Sequence, residues 1–432
     1  MNKSSSFITI KKNYTQMKKM GFLILLLLAG CKKNEPLPLP SDPIVSPTTG
    51  SRFDMTKDSI FLYAKQLYLW NETLPSYTDF APRSRYPGEA SEISAFKQEL
   101  FDITQLKTNP QTGRPFEYPI QSNTPKYSFI TETGTAGGLM RASGTTIGKA
   151  VLHRAILPHH NRKIGYIVLD AFPTLKDSKA EYDEAFSFLS GQSIDELIID
   201  LRTNNGGYVE TAEYIANFLA PSHLKGKLMF SQVFNKQMQE GNATILGYQP
   251  YLDQNGKVVY YKGRPATMAD VDYSTTANTK YFDPLGNMND IRKISFITSV
   301  RTSSAAELLI SIVKPYLDIS IVGQPTYGKP VGSFGINIDK YSLFLPSFHL
   351  LNAEGWNGYF DGIPPTVTTP VDMYPSAWGN PSDSAIKEIL EGEGIQNKSQ
   401  NRVPSKISQK ELIVRITDPI PMEPSGLTLK KE

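Results

Sequence analysis

Apolar and polar positions repeat with two different periods along residues 164–350. Short apolar or β-branched runs predict strands at Ile164–Leu169, Leu197–Leu201, Ile294–Thr298 and Ile319–Val322, with a long pair of strands around Gly335–Leu350. Spacing near 3.6 residues predicts helices at Asp177–Ser190, Val209–Leu219 and Ser304–Val313. Leu197–Leu201 is almost continuously apolar, which is typical of a strand buried on both faces. Strands and helices in succession predict a mixed α/β core.

The residues before this core have the pattern of a small helical domain, which we predict to span residues 51–126. Thr56 is a candidate N-cap for a first helix. Its predicted apolar face consists of Ile60, Phe61, Ala64, Leu67 and Tyr68. A second amphipathic helix is predicted at Ser91–Phe101, and the aperiodic stretch Thr108–Lys126 is predicted to be a loop. Residues Lys225–Asp290, rich in tyrosine and turn residues, predict short strands.

Composition is that of an ordinary globular protein, with 40% apolar and 20% charged residues among 432. This length suggests two or three folding units. The formal charge is +3, but residues 1–30 contain five lysines and no acidic residue, so the chain without them has a charge of −2. Such a chain has no electrostatic reason to bind nucleic acid. The single cysteine excludes an intramolecular disulfide.

The amino terminus has the features of an export signal, predicted to be residues 1–30. Lys18 and Lys19 precede the apolar run 22–28, which is too short to span a bilayer. The run ends in Leu28-Ala29-Gly30-Cys31, which resembles the bacterial lipobox, so Cys31 is the predicted lipidation site. A proline-rich linker, residues 31–50, follows. A soluble secreted protein with an incidental cysteine is the alternative. The position of the only cysteine favours a lipid-anchored protein of the cell envelope, on the outer membrane or its periplasmic face.

The segment Ser303-Ser304-Ala305-Ala306-Glu307 follows an apolar strand and opens an apolar helix. A serine at a helix amino terminus lies beside unpaired N–H groups and the positive end of the helix dipole. These donors can stabilise the oxyanion of acyl transfer. Taken alone, the segment is also compatible with Ser303 or Ser304 acting only as an N-cap.

Two further segments can complete a site with this serine. The turn at residues 200–207, with Gly206 and Gly207, joins a buried strand to a helix, so its N–H groups could point to the same space. Lys329 follows the strand Ile319–Val322 and would ordinarily be a solvated surface residue. If it is buried beside a serine, its pKa falls and its amine can accept the hydroxyl proton.

Together these segments resemble the carboxy-terminal processing peptidases, a family of serine–lysine peptidases. The resemblance covers Ile164 to Val367 and rests on residues 198–207, 302–307 and 322–329, with a weaker piece at Asp361-Gly362-Ile363-Pro364-Pro365. It implies a Clp protease/crotonase-like α/β core. It also implies hydrolysis of peptide bonds in a peptide or unfolded protein substrate. We predict that this peptidase core spans residues 164–395 and that 396–432 form a C-terminal segment.

The family pattern places the nucleophile three residues before a glutamate and twenty-five before the lysine. Ser304 therefore corresponds to the nucleophile, Lys329 to the general base, and Glu307 to a residue that helps to hold the lysine. The resemblance further implies an oxyanion hole formed by the N–H group of Ala305 and that of Gly206 or Gly207. This chemistry needs no metal and no organic cofactor.

Many members of this family carry a PDZ domain before the catalytic core, and this chain has little room for one. Only thirty-three residues separate Ile130 from Ile164, whereas independent domains seldom have fewer than about 50. We predict a short connector at residues 127–163, with at most two short strands around Thr146–Leu157. It is expected to form a hairpin or loop over the active-site cleft.

Other functions fit the sequence less well. There is no G-x-S-x-G elbow of an α/β-hydrolase and no cluster of zinc ligands around the five histidines. A catalytically weak peptide-binding scaffold of the same fold is an alternative, and the intact Ser304 and Lys329 argue against it. A glycan-binding envelope lipoprotein is a second alternative, suggested by Tyr260, Tyr261, Tyr281 and Trp356. The sequence carries no signal for an oligomeric state.

Overall fold

The computed structural model describes residues 46–87, 91–132, 149–253, 256–286, 288, 291–392, 422 and 424–431. They all belong to the compact unit Ile44–Glu432. The predicted signal peptide, Cys31 and most of the linker lie outside the described residues, as does most of the C-terminal segment. None of the helices in the described part combines the length and apolar character that a membrane span requires.

The helices and strands are numbered in chain order. The α-helices are α1 (Arg52–Leu67), α2 (Tyr77–Phe80), α3 (Pro82–Arg85), α4 (Glu92–Thr104), α5 (Leu175–Ser190), α6 (Val209–Leu219), α7 (Lys236–Gln239), α8 (Ala305–Val313) and α9 (Ser384–Glu391). The strands are β1 (Phe129–Glu132), β2 (Val151–His159), β3 (Arg162–Leu169), β4 (Glu196–Asp200), β5 (Leu228–Phe234), β6 (Tyr260–Tyr261), β7 (Arg264–Pro265), β8 (Thr279–Tyr281), β9 (Lys293–Thr298), β10 (Ile319–Gly323), β11 (Val331–Gly332), β12 (Gly335–Ile338), β13 (Tyr341–Phe344), β14 (Phe348–Asn352) and β15 (Val367–Thr368). Short 3₁₀ turns lie at Asn71–Thr73, Ser222–Leu224, Thr244–Tyr248 and Met268–Asp270.

A six-stranded sheet forms the centre of the fold, in the order β15-β10-β9-β4-β3-β2. Its strands run parallel except β2, which pairs antiparallel with β3. All five residues of β4 are buried, which confirms the prediction for Leu197–Leu201 apart from its bounds. Because the carboxyl ends of parallel strands meet at one edge, the turns after β4 and β9 lie side by side. Leu201 N–H donates to Ile297 O across these strands at 2.9 Å.

Apolar residues cover the sheet on both faces, as expected for parallel strands. Along β3, Ile164, Tyr166 and Val168 pack with α9, whereas Ile167 and Leu169 belong to the larger core on the other face. Helices α6 and α8 contribute to that larger core, and every residue of α8 is buried. The fold is thus the predicted mixed α/β arrangement.

The predicted long pair around Gly335–Leu350 is wrong in one respect. Strands β12 and β13 form a hairpin in a three-stranded sheet with β1, whereas β14 belongs to a second antiparallel sheet in the order β11-β14-β5-β8. Pro346 separates β13 from β14, and proline cannot donate a hydrogen bond to a ladder. The chain therefore changes sheets at this point.

The N-terminal helices form where their apolar periods predict, but the first begins earlier than expected. Ser51, and not Thr56, caps α1 by accepting a hydrogen bond from Asp54 N–H. The predicted apolar face of this helix is buried. Ser91 caps α4, and Phe96 on this helix packs 5.0 Å from the Tyr341 ring of β13. The helices therefore rest on the three-stranded sheet.

The connector before the core differs from expectation in its described part. Instead of two short strands over the cleft, residues Val151–His159 form one strand, β2, at the outer edge of the central sheet. This strand pairs antiparallel with the β-branched and apolar residues of β3, with Leu157 opposite Ile164. Residues 133–148 lie outside the described residues, so the absence of a complete PDZ domain stays a prediction.

Candidate active site

Ser304 lies at the amino terminus of α8, immediately after the turn that follows β9. Its backbone has φ +61° and ψ −123°, a positive-φ conformation outside the left-handed helical region that is costly for a residue with a side chain. The side chain is buried, and its hydroxyl donates no hydrogen bond to any described residue. The neighbouring Ser303 Oγ donates to Asn205 O at 2.8 Å, so that hydroxyl is already engaged in the turn. Of the two serines, Ser304 is thus the one with an uncommitted hydroxyl.

Glu307 lies one helical turn after Ser304, and its buried carboxylate joins two segments of the chain. Oε2 accepts hydrogen bonds from Ser304 N–H and Lys329 N–H, both at 2.8 Å. Oε1 accepts from Gly328 N–H at 2.7 Å and from Thr326 Oγ1. Burial raises the pKa of this carboxyl, and the four donors oppose that effect. Glu307 thus holds the lysine segment through backbone N–H groups.

Lys329 follows β10 and is 5% exposed. Burial lowers the pKa of its amine to about 8, while the nearby carboxylates Glu117 and Glu307 act in the opposite direction. With such a pKa, about a tenth of the lysines carry a neutral amine at pH 7. The structure does not contain a hydrogen bond between Lys329 Nζ and Ser304 Oγ. Catalytic hydrogen bonds often close only when substrate is bound.

The three candidate oxyanion donors lie around Ser304 in different ways. Gly206 is so close that a Cβ on it would lie 2.6 Å from Ser304 Cβ, but its N–H donates to Asn204 Oδ1 at 2.8 Å. Gly207 pairs with Phe172 in an isolated bridge. Neither Gly207 N–H nor Ala305 N–H donates to another described residue. Between the two glycines, the donor of Gly207 is therefore the available one.

Two residues near Lys329 were missed by the sequence reasoning. Glu117, in the predicted loop, is fully buried and accepts hydrogen bonds from Tyr127 N–H at 2.9 Å and Ser128 N–H at 2.7 Å. The Tyr127 hydroxyl donates to Gly328 O at 2.7 Å. The sequence reasoning gave neither residue a role in the site, because their partners lie far away along the chain.

Comparison with known proteins identifies this region. Residues 163–369 match the model of peptidase family S41, over almost the same range as the predicted resemblance. This segment is an S41 domain.

Solved structures with a similar chain trace include three proteins. A Bacteroides fragilis protein assigned as an S41 protease is 23% identical, with 62% of this chain and 66% of that chain covered and a TM-score of 0.44. A lipoprotein from Streptococcus agalactiae is 17% identical, with 75% and 94% covered and a TM-score of 0.44. A photosystem II D1 C-terminal processing protease is 14% identical, with 76% and 96% covered and a TM-score of 0.42. No curated protein sequence matches the chain.

Because S41 is a family of peptidases, the match of residues 163–369 supports a peptidase function. The family match also confirms the resemblance drawn from residues 198–207, 302–307 and 322–329, all of which fall within it. The core it covers has the predicted mixed α/β arrangement.

A buried ion network holds the turn after β4 in the S41 domain. The Arg202 side chain is fully buried and pairs with Asp200 and Asp383, both at 2.8 Å. Tyr166 OH also donates to Asp200 at 2.8 Å, and Asp383 caps α9. Removal of one partner from such a network leaves a buried charge uncompensated. The network therefore fixes the strand end from which the Gly206–Gly207 turn starts.

The remaining titratable groups do not suggest another chemistry. Within the described ranges, no three His, Cys, Asp or Glu side chains come together as a metal site would require. Burial lowers the pKa of His349 to about 4, so this histidine is neutral at physiological pH. Its ring packs against Trp70 and Phe360. Its Nδ1 makes no hydrogen bond to any described residue.

Proposed function

We propose that this chain is a serine endopeptidase of the cell envelope, with Ser304 as nucleophile and Lys329 as general base. The observation that carries the proposal is the Glu307 carboxylate. One of its oxygens binds the backbone of both the nucleophile and the base, so the two segments are fixed relative to each other. The burial that lowers the lysine pKa to about 8 supports its role as a base near neutral pH.

The proposed reaction proceeds in two stages. The neutral Lys329 amine removes the proton from Ser304 Oγ, which attacks the carbonyl carbon of the scissile peptide bond. The N–H groups of Ala305 and Gly207 donate to the resulting oxyanion. The Lys329 ammonium then protonates the leaving amine, and an acyl-enzyme remains on Ser304. Water, deprotonated by Lys329, hydrolyses this ester and restores the enzyme.

The cellular part of the proposal rests on the amino-terminal sequence. The lipobox-like residues 28–31 and the proline-rich linker after them support a lipid on Cys31 that tethers the peptidase to a membrane. The anchored enzyme would act on peptides or unfolded proteins at the outer membrane or its periplasmic face. The proposed chemistry requires neither a metal nor an organic cofactor.

A peptide-binding scaffold is a second candidate function. The observation in its favour is that the Ser304 hydroxyl donates no hydrogen bond to Lys329 Nζ or to any other described residue. A protein of this kind would bind peptides at the same edge of the sheet without cleaving them.

The test is to incubate residues 32–432 with an unfolded protein and to analyse the products by mass spectrometry. Ser304→Ala and Lys329→Ala should each reduce kcat by at least about a thousandfold, and the double variant should cost little more, because the two groups act as one unit. Ser303→Ala is the matched control and should keep measurable turnover. Loss of activity in Ser303→Ala with full activity in Ser304→Ala would show that the nucleophile is misassigned. Peptide binding without cleavage by the unmodified protein would support the scaffold.

A further inference from the structure

The peptide group between Gly328 and Lys329 is held from both sides. Its N–H, that of Lys329, donates to Glu307 Oε2 at 2.8 Å. Its carbonyl, that of Gly328, accepts a hydrogen bond from the Tyr127 hydroxyl at 2.7 Å. A trans peptide points these two groups in opposite directions. Glu307 and Tyr127 therefore restrain the rotation of the peptide that leads into the lysine.

The same peptide is closely packed. Gly328 has φ +88°, and a Cβ on it would lie 2.5 Å from Phe360 O and from Gly362 N. The backbone here has no room to shift towards Phe360. If one of the two hydrogen bonds is lost, the peptide plane is therefore expected to rotate. This rotation changes the direction in which the Lys329 side chain leaves the backbone.

Tyr127 is itself held in place. It is 2% exposed, and its N–H donates to Glu117 Oε2 at 2.9 Å. Glu117 also accepts from Tyr68 OH at 3.0 Å and from Ser128 Oγ at 2.7 Å, so this carboxylate is fixed by several donors. These residues all precede residue 163, where the S41 match begins. One of the two restraints on the lysine segment, that from Tyr127, thus comes from outside the matched domain.

We propose that Tyr127, held by Glu117, is a positioning residue for Lys329, so that catalysis depends on a segment outside the S41 domain. This inference rests on the proposed function, in which Lys329 is the base. The lysine amine lies at the end of a long flexible side chain and must reach Ser304 Oγ at hydrogen-bonding distance. A small rotation at its backbone is enough to move it out of reach.

The charges around Lys329 provide a second readout. The carboxylates of Glu117 and Glu307 act on its amine. Lys126, whose amine donates to Phe360 O at 2.5 Å, also has a pKa that burial lowers to about 8. Removal of the negative charge of Glu117 should lower the pKa of Lys329 further, because a neighbouring anion stabilises the ammonium. A change at Glu117 is therefore expected to alter the pH dependence as well as the rate.

The first experiment measures kcat and KM of Tyr127→Phe in the full chain. The control is Tyr273→Phe, because Tyr273 is also buried and its hydroxyl also donates to a backbone carbonyl, Met268 O, at 2.9 Å. Both variants lose one buried hydroxyl and one hydrogen bond. Tyr127→Phe should reduce kcat at least about tenfold with KM within twofold, whereas Tyr273→Phe should leave both unchanged. A kcat within twofold of the parent for Tyr127→Phe would overturn the proposal.

The second experiment uses Glu117→Gln and Lys329→Ala. In Glu117→Gln, the rising limb of the pH–rate profile should move to lower pH, and an unmoved limb would overturn the link through Glu117. An inactive Lys329→Ala combined with a fully active Tyr127→Phe would remove the positioning role and leave the proposed function intact. An active Lys329→Ala would remove both, because Lys329 would not be the base.

Discussion

Replacement of Glu307 by glutamine keeps the size of the side chain and leaves one or two of its four hydrogen-bond donors without an acceptor. In the structure, one carboxylate oxygen accepts from Ser304 N–H and Lys329 N–H, and the other from Gly328 N–H and Thr326 Oγ1. A glutamine amide has one oxygen and one NH₂ group, and the NH₂ group can only donate. With the NH₂ group towards Ser304 and Lys329, two buried N–H groups lose their acceptor and face another donor. With it towards Gly328 and Thr326, the Gly328 N–H loses its acceptor, whereas the Thr326 hydroxyl can turn and accept from the amide.

The size of the effect follows from the number of bonds lost. A hydrogen bond to a charged group contributes about 1.5–3 kcal/mol, so the loss of one or two costs about 1.5–6 kcal/mol. Domains have about 5–15 kcal/mol of stability, so we expect Glu307→Gln to fold with a reduced free energy of unfolding. Urea unfolding measures this loss. Because the side chain that joins the segments of the proposed nucleophile and base loses part of its hydrogen bonding in either orientation, kcat should also fall about a hundredfold.

Glu99→Gln is the matched control for this prediction. Glu99 on α4 is fully buried, and neither of its oxygens has a hydrogen-bond partner among the described residues. The same substitution there breaks no hydrogen bond and removes a group whose ionisation burial disfavours, so it should not lower the free energy of unfolding. The reasoning is refuted if Glu307→Gln is no more destabilising than Glu99→Gln, or if its kcat stays within twofold of the parent.

Three further predictions concern pH and the membrane. The pH–rate profile should rise with an apparent pKa of about 8, because only the neutral Lys329 amine accepts a proton, and a limb near 6.5 that disappears on replacement of His349 would contradict this. Burial raises the pKa of Glu99 above its ordinary value of 4.5, so its contribution to stability is complete below that value and is lost as the pH rises through the folded-state pKa. Urea unfolding at several pH values should show this loss in the parent and not in Glu99→Gln, and parallel curves for the two proteins would argue against it. Cys31→Ala should prevent lipidation and release the protein from the membrane fraction, whereas a parent protein found in the soluble fraction would rule out the anchor.

Much of the fold could be predicted from local pattern. The helix Val209–Leu219 has its predicted bounds, because its apolar spacing is regular and Pro221 follows its end. The buried strand β4 was recognisable from its continuous apolar run. The change of sheet at Pro346 was not predicted, since the apolar alternation continues on both sides of it. The length of strand β2 was underestimated, because its pairing with β3 depends on the residues of β3 as well as on its own.

The candidate site shows a similar division. The order and spacing of Ser304, Glu307 and Lys329 were available from the sequence. The hydrogen bonds through which Glu307 acts were not, because they go to backbone groups, which every residue carries. Tyr127 was also missed, since its hydroxyl reaches a carbonyl 201 positions further along the chain. Contacts of this kind depend on the packing of separate segments, so the periodicity of apolar residues in one segment does not predict them.

The backbone conformation of Ser304 has a consequence for the evolution of this site. A positive φ is tolerable for a side chain with one substituent on Cβ and much more strained for a branched one. Serine and cysteine carry one such substituent, and threonine carries two. At φ +61°, an exchange of hydroxyl for thiol therefore leaves the turn intact, whereas threonine requires the turn to be rebuilt. The set of residues that can act as the proposed nucleophile at position 304 is limited by the shape of a turn before it is limited by chemical reactivity.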